Sequence, residues 1–174
     1  MQRRHHRILK ASCLAGWLFS QQVQAITYQL FLVRHAEKAQ TATADPELSA
    51  CGQLQAKALA TFLEHLQLPQ IFHTPYQRTT MTAAALLKQD RQLQPYDPTK
   101  LAEFSRQLLQ AKQSAVVVGH SNTTPQLAAL LSGLHIKPMS EQQYGVIYQL
   151  TFRNQHFVAL NQLQLPQPES CQQK

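Results

Sequence analysis

The chain has 174 residues, a formal net charge of +7 and 44% hydrophobic residues, enough for one domain with a sizeable core. Four of the bases, Arg3, Arg4, Arg7 and Lys10, lie at the extreme N-terminus with no acid among them, so the remainder is only mildly basic. No basic stripe interleaved with aromatics occurs, which argues against nucleic acid as a partner.

In chain order, the first segment reads as a secretory signal peptide. A basic start is followed by the apolar run Ala11 to Phe19 and by Val23-Gln24-Ala25, with cleavage expected after Ala25. That run is far short of the roughly 20 residues needed to span a bilayer, so no stable membrane insertion is expected after cleavage. Lys10 stands where a lipid-attachment signal leading to Cys13 would need an apolar residue. Residues 1–25 are therefore the signal peptide, 26–165 the domain, and 166–174, with Pro166 and Pro168, a loose tail. The expected location is periplasmic or secreted.

Strands and helices then alternate. The pattern predicts a strand at Tyr28 to Val33, a helix from a Ser49 cap to about Leu66, a strand at Gln70 to His73 and a helix from Gln77 to Lys88. A strand at Leu93 to Tyr96, a helix from Thr99 to Lys112, a strand at Ala115 to Gly119 and a helix from Thr124 to Leu131 follow. Alternation of this kind predicts an α/β fold, a three-layer α/β/α sandwich with a mostly parallel central sheet. Gly145 to Phe152 and His156 to Leu160, flanking Arg153-Asn154-Gln155, predict a closing antiparallel hairpin.

Three chemically rich segments lie just beyond the carboxyl ends of predicted strands, the edge at which open α/β sheets bind ligands. They are Arg34-His35-Ala36-Glu37, the stretch Pro75-Tyr76-Gln77-Arg78-Thr79 with Ala83, and Gly119-His120-Ser121-Asn122. Imidazole is a nucleophile near neutral pH, and guanidinium suits phosphate or carboxylate through its planar fork of donors. These three motifs, in this order and context, resemble the signatures of the histidine phosphatase superfamily, in the branch that includes phosphoglycerate mutases. The resemblance runs from about Thr27 to Leu131, with Leu48-Ser49-Ala50-Cys51-Gly52 where the family commonly has a Leu-Thr-x-x-Gly helix start.

The resemblance implies a phosphatase acting through a phosphohistidine. His35 would attack phosphorus through one ring nitrogen, the other being held by a backbone carbonyl. Arg34 and Arg78 would neutralise the nonbridging oxygens, and His120 would add a donor and a charge. Ser121 and Asn122 either bind the phosphate or cap the following helix. No cofactor and no metal is expected, since two guanidiniums and an imidazolium supply the positive charge that Mg²⁺ provides elsewhere. No CxxC, HExxH or His-rich spacing suggests a metal site. A cysteine-phosphatase loop is excluded because Lys57, not Arg, stands at the sixth position after Cys51.

The general acid is the least legible element. Mutase-type relatives carry an acid in an insertion between the second arginine and the second histidine, but here a helix, a strand and a helix fill that interval. Asp97 before Pro98 reads as a turn residue, and Glu103 as a partner of a helix dipole. Glu37, two residues past the nucleophile, is the preferred donor; its alternative is a salt bridge to Arg34 or Lys38. His73 either lines the pocket or packs. Lys38 either attracts the anion or is an exposed loop charge.

Cys51 and Cys171 form a disulfide in an oxidising compartment, or leave a buried Cys51 and a free Cys171. The expected partner is a phosphorylated small molecule, an envelope sugar phosphate or a phosphoprotein. Two other readings remain: a phosphate-binding module of the same fold without turnover, and a serine hydrolase using Ser121. Thr123 stands where the serine motif needs glycine, and no Asp follows Ser121 to complete a triad in the usual order.

Overall fold

A computed structural model describes residues 24–88 and 90–171. The signal-peptide reading, including Cys13, rests on residues that lie almost entirely outside this range. Ten principal elements occur: β1 Thr27–Arg34, α1 Ala50–Phe62, β2 Gln70–His73, α2 Gln77–Ala84, β3 Gln92–Pro95, α3 Leu101–Ala111, β4 Ala115–Gly119, α4 Thr123–Ser132, β5 Val146–Arg153 and β6 His156–Gln164. They build one sheet of order β3-β2-β4-β1-β5-β6. The pairs β2/β3, β2/β4 and β1/β4 are parallel, whereas β5 runs antiparallel to both β1 and β6.

Side-chain alternation along β1 creates the two outer layers. Leu30 and Leu32 join one core with Leu101, Phe104 and Leu108 of α3 and Leu127 and Leu131 of α4. Phe31 and Val33 point the other way, onto Leu59 of α1, Ala83 of α2 and the adjacent Leu63 and Leu86. Period-2 alternation with both faces apolar is what a central parallel strand requires. The sheet is thus covered on both faces, as expected for the α/β/α sandwich.

Two helices end earlier than the sequence suggests, α1 at Phe62 and α2 at Ala84. The cause is Arg91, buried among apolar residues, whose guanidinium donates to the carbonyls of Leu63, Leu66 and Leu86. One planar cation satisfies chain ends from both helices, so neither needs another helical turn. Helix α3 begins at Leu101 instead of Thr99, because Asp97 accepts from the Thr99 amide and hydroxyl in the preceding turn. Strand β6 runs on to Gln164, its polar residues Asn161 and Gln162 lying on an edge strand.

The tail, expected to be loose, is tied down as far as Cys171. Cys51 and Cys171 are joined by a disulfide with Cα atoms 5.4 Å apart, and a short 3₁₀ turn spans Glu169–Cys171. Just before it, the Gln167 side-chain oxygen accepts from Gln55 Nε2 at 2.6 Å, and its Nε2 donates to the Tyr144 carbonyl at 3.2 Å. No helix among the described residues is long and apolar enough to cross a membrane.

Candidate active site

Strands β1 and β4 end side by side, Arg34 opposite Gly119, and the His35 amide donates to the Gly119 carbonyl at 2.9 Å. The two histidines that follow these strands are therefore neighbours, with ring centroids 5.4 Å apart. Gly119 permits this junction. A Cβ there would fall 2.8 to 2.9 Å from the hydroxyls of Thr123, Thr124 and Tyr96. From β2, the chain passes through Thr74 to α2, which brings Arg78 to the same edge. A cleft of about 530 Å³ results, lined by His35, Lys38, Tyr76, Arg78, His120 and Glu141, with Asn122 and Thr99 among its other walls.

The His35 ring is held by the carbonyl of the next residue. Its Nδ1 donates to the Ala36 carbonyl at 2.8 Å; since that carbonyl can only accept, Nδ1 carries the proton and Nε2 keeps its lone pair. The Ala36 amide donates to Thr82 Oγ1 at 3.0 Å, and that hydroxyl donates to the Arg78 carbonyl at 2.7 Å, tying the loop after β1 to α2. Burial, together with the positive charges of Arg34 and Arg78 and the repulsion a protonated His120 would add, outweighs the pull of the carbonyl and brings the His35 pKa down to about 3. The ring is neutral at physiological pH.

His120 Nε2 lies 2.8 Å from the Thr74 hydroxyl, which is in turn 2.9 Å from the Thr79 hydroxyl. Burial, then Arg78 and Arg34, lowers its pKa to about 4. At neutral pH His120 is therefore uncharged. Protonation would have to accompany the arrival of an anion, whose charge favours imidazolium. Arg78 packs its guanidinium 4.6 Å from the Tyr76 ring centroid and pairs with Asp45 at 3.3 Å. Asp45 also accepts from the Gln77 amide at the first turn of α2.

Arg34 occupies a different place from the one expected. Its side chain is 1% exposed, with Nη1 donating to the carbonyls of Ser140, Glu141 and Gln143 and Nη2 to the Glu141 carboxylate at 2.9 Å. The guanidinium also packs 4.3 Å from the Tyr144 ring centroid. Arg34 thus holds the loop between α4 and β5 rather than lining the cleft. Three carbonyls and a carboxylate outcompete water for its fork, because that loop folds directly over the end of β1.

The acid assignment changes as well. Glu37 Oε1 accepts from Ser49 Oγ at 2.8 Å at the start of α1, and its amide donates to Gln55 Oε1. Among the described residues, the carboxylate lining the cleft is that of Glu141. It accepts from Ser121 Oγ and from Arg34. The Ser121 hydrogen bond, then Arg34, Lys38 and His120, lower its pKa against the opposing effect of burial. Glu141 escaped the sequence reading because it sits in a loop without a recognisable pattern, brought in only by the return of the chain to β5. Asp45 escaped because it too lies in a loop without a pattern, between β1 and α1, and meets Arg78 only in the folded chain.

Ser121 directs its proton to a carboxylate and not to an imidazole, which removes the geometry of a serine nucleophile. Asn122 stands at the start of α4 without a side-chain capping bond and faces the cleft instead. Thr123 Oγ1, accepting from the His120 amide at 2.9 Å, ties down that turn. His73 lies outside the cleft, buried, with Nδ1 against the Thr74 carbonyl and the Thr80 hydroxyl. Among the described residues no group of three or more His, Cys, Asp or Glu is placed to hold a metal ion.

Comparison with known proteins agrees with this geometry. A family model described as histidine phosphatase superfamily (branch 1) matches residues 30–110, which contain Arg34, His35 and Arg78. No curated protein matches the chain. Among solved structures, the protein histidine phosphatase SixA complexed with tungstate is similar with a TM-score of 0.65 and 18% identity, over 78% of this chain and 96% of that one. The alpha-ribazole phosphatase of Shigella flexneri gives 0.63 and 16%, over 79% and 96%. A mycobacterial glucosyl-3-phosphoglycerate phosphatase gives 0.60 and 15%, over 72% and 90%. At these identities the likeness establishes the fold. Over residues 30–110 the chain is thus similar to the histidine phosphatase superfamily, and it shares the fold of these structures, with two histidines paired at adjacent strand ends.

Proposed function

We propose that the protein is an exported phosphatase that hydrolyses phosphomonoesters without a metal ion, through a phosphohistidine on His35. One observation carries this reading. His35 is a neutral imidazole, its Nδ1 proton fixed on the Ala36 carbonyl, in a cleft that also holds Arg78, Lys38 and His120. A neutral nucleophile among cationic groups suits attack on a phosphate dianion, whose charge repels nucleophiles in water. The similar structures named above are all phosphatases by name, and one of them was solved with tungstate, an oxyanion.

In the first half-reaction Nε2 of His35 forms a bond to phosphorus while the bond from phosphorus to the leaving oxygen breaks. The leaving oxygen takes a proton from Glu141, whose proton affinity rises when the phosphate charge enters beside it. Water then attacks the phosphohistidine and gives its proton to the Glu141 carboxylate, which restores both residues. Arg78, Lys38 and Asn122 hold the nonbridging oxygens, and His120 protonates as the anion binds. Arg34 contributes by fixing the loop that carries Glu141.

The test is covalent trapping. Incubation with an aryl phosphate, alkaline quenching and peptide mass analysis should find one phosphoryl group on the His35 peptide, lost in His35→Ala together with turnover. Binding of phosphate without a covalent adduct would instead establish a binding module. Strong inhibition by EDTA that added metal reverses would reject the metal-free mechanism. Export rests on the leader and predicts a periplasmic protein beginning at Ile26; recovery of Met1 in a membrane pellet would reject it.

A further inference from the structure

We infer that the outer face of α4 is the binding track for a hydrocarbon leaving group, so that the substrate of the cleft is the phosphomonoester of an amphiphilic alcohol. This assignment rests on the phosphatase reading above. Helix α4 starts at the cleft, where Asn122 stands on its wall. Gln126, Ala129 and Leu130 follow on the same face at helical spacing, reaching about 12 Å from the cleft.

Two troughs flank that face, and each shares wall residues with the cleft. On one side, about 570 Å³ lies between α4 and the start of α3, walled by Leu101, Ala102, Ala129 and Leu130; Pro98 and Thr99 line both this trough and the cleft. On the other side, about 330 Å³ is walled by Pro125, Ile136, Pro138 and Met139, with Ser121, Asn122 and Glu141 shared with the cleft. Gln126 and Ala129 line both troughs.

The chemistry divides along this path. Cationic groups, Lys38 and Arg78, lie in the cleft, while beyond the shared Glu141 the trough walls carry no charged side chain. Leu130 is 49% exposed and Leu134, just past the helix, 47%. Single exposed leucines are ordinary on a protein surface; here they continue an apolar path that begins at a phosphate-binding centre. A molecule matched to this surface has an anionic head joined directly to a hydrocarbon body. A bulky sugar or a peptide would find few polar partners there besides Thr99 and Gln126.

A series of n-alkyl phosphates from ethyl to decyl, kept below micellar concentrations, tests the assignment, with p-nitrophenyl phosphate as the reference for the chemistry. The expected result is a rise in kcat/KM of roughly two- to fourfold per added methylene, levelling once the track is filled. Leu130→Glu on α4, and independently Ala102→Glu on the opposite wall, should flatten that rise while nitrophenyl phosphate turnover stays at the parent rate, which also reports folding. A flat chain-length profile with intact nitrophenyl phosphate turnover would overturn the track and leave the phosphatase reading standing. So would a rise untouched by both variants, or a preference for phosphopeptides or sugar phosphates over the longer alkyl phosphates. Absence of turnover on every substrate would overturn the phosphatase reading, and the track with it.

Discussion

Gly52 and Glu37 approach so closely that a Cβ on Gly52 would stand 2.0 Å from the Glu37 carbonyl oxygen. Ser49 fixes this approach: its amide donates to that same carbonyl at 3.0 Å, its hydroxyl donates to the Glu37 carboxylate, and it accepts from the Gly52 amide. The start of α1 is thereby pressed against the loop that follows His35. Gly52→Ala must push backbone from backbone, so it should cost about 1–3 kcal/mol of stability and lower kcat by displacing Ala36 and His35. Denaturant unfolding and steady-state kinetics check both effects; unchanged stability would mean that α1 moves aside freely.

Both site histidines should make the fold acid-sensitive. In the unfolded chain each titrates near 6.5, whereas in the folded protein His35 is held to about 3 and His120 to about 4. Between these limits the unfolded state binds more protons, so stability falls as pH drops from about 6.5 towards 4. Thermal unfolding across that range should show the slope, and His35→Asn with His120→Asn should flatten it. Imidazole NMR titration should find both rings neutral at pH 6; a His35 titration near 6.5 would contradict the burial effect.

Glu141→Gln should slow poor leaving groups far more than good ones. Glutamine preserves the acceptor for Ser121 but carries no acidic proton. An alkyl phosphate should lose about 10²- to 10⁴-fold in kcat/KM, while p-nitrophenyl phosphate, whose leaving group hardly needs a proton, should lose little. The same comparison for Glu37→Gln should give small and equal effects, because Glu37 serves the start of α1. Equal slowing of both substrates by Glu141→Gln would remove it as the donor and leave it a holder of Arg34.

Breaking the disulfide should release the tail and loosen the site together. Cys51 and Cys171 are 120 residues apart in sequence, and removing a crosslink over so long a loop costs about 2–5 kcal/mol. Cys171→Ser should lower the Tm, and dithiothreitol should do the same to the parent but not to the variant. Gln167 of the tail accepts from Gln55, whose side chain also accepts from the Glu37 amide, so kcat should fall as well. A Tm insensitive to both treatments would show that the tail is held by its other contacts.

Local sequence determined the layers and the strand ends. The apolar runs of β1 and β4 fit strands covered on both faces, and residues placed directly after such strands must emerge at one edge, so His35, His120 and Arg78 were legible as a cluster. The direction and charge of their side chains were not. Arg34 turns away because the loop before β5 offers it three carbonyls and Glu141, and His120 loses its charge through burial beside two guanidiniums. Glu141, Asp45 and Arg91 acquire their roles from contacts between segments far apart in the chain. Pattern reading sees periodicity within a segment; it cannot see which loop a folded chain lays over a strand end, because the closure of long loops is decided by the packing of the whole sheet and its helices.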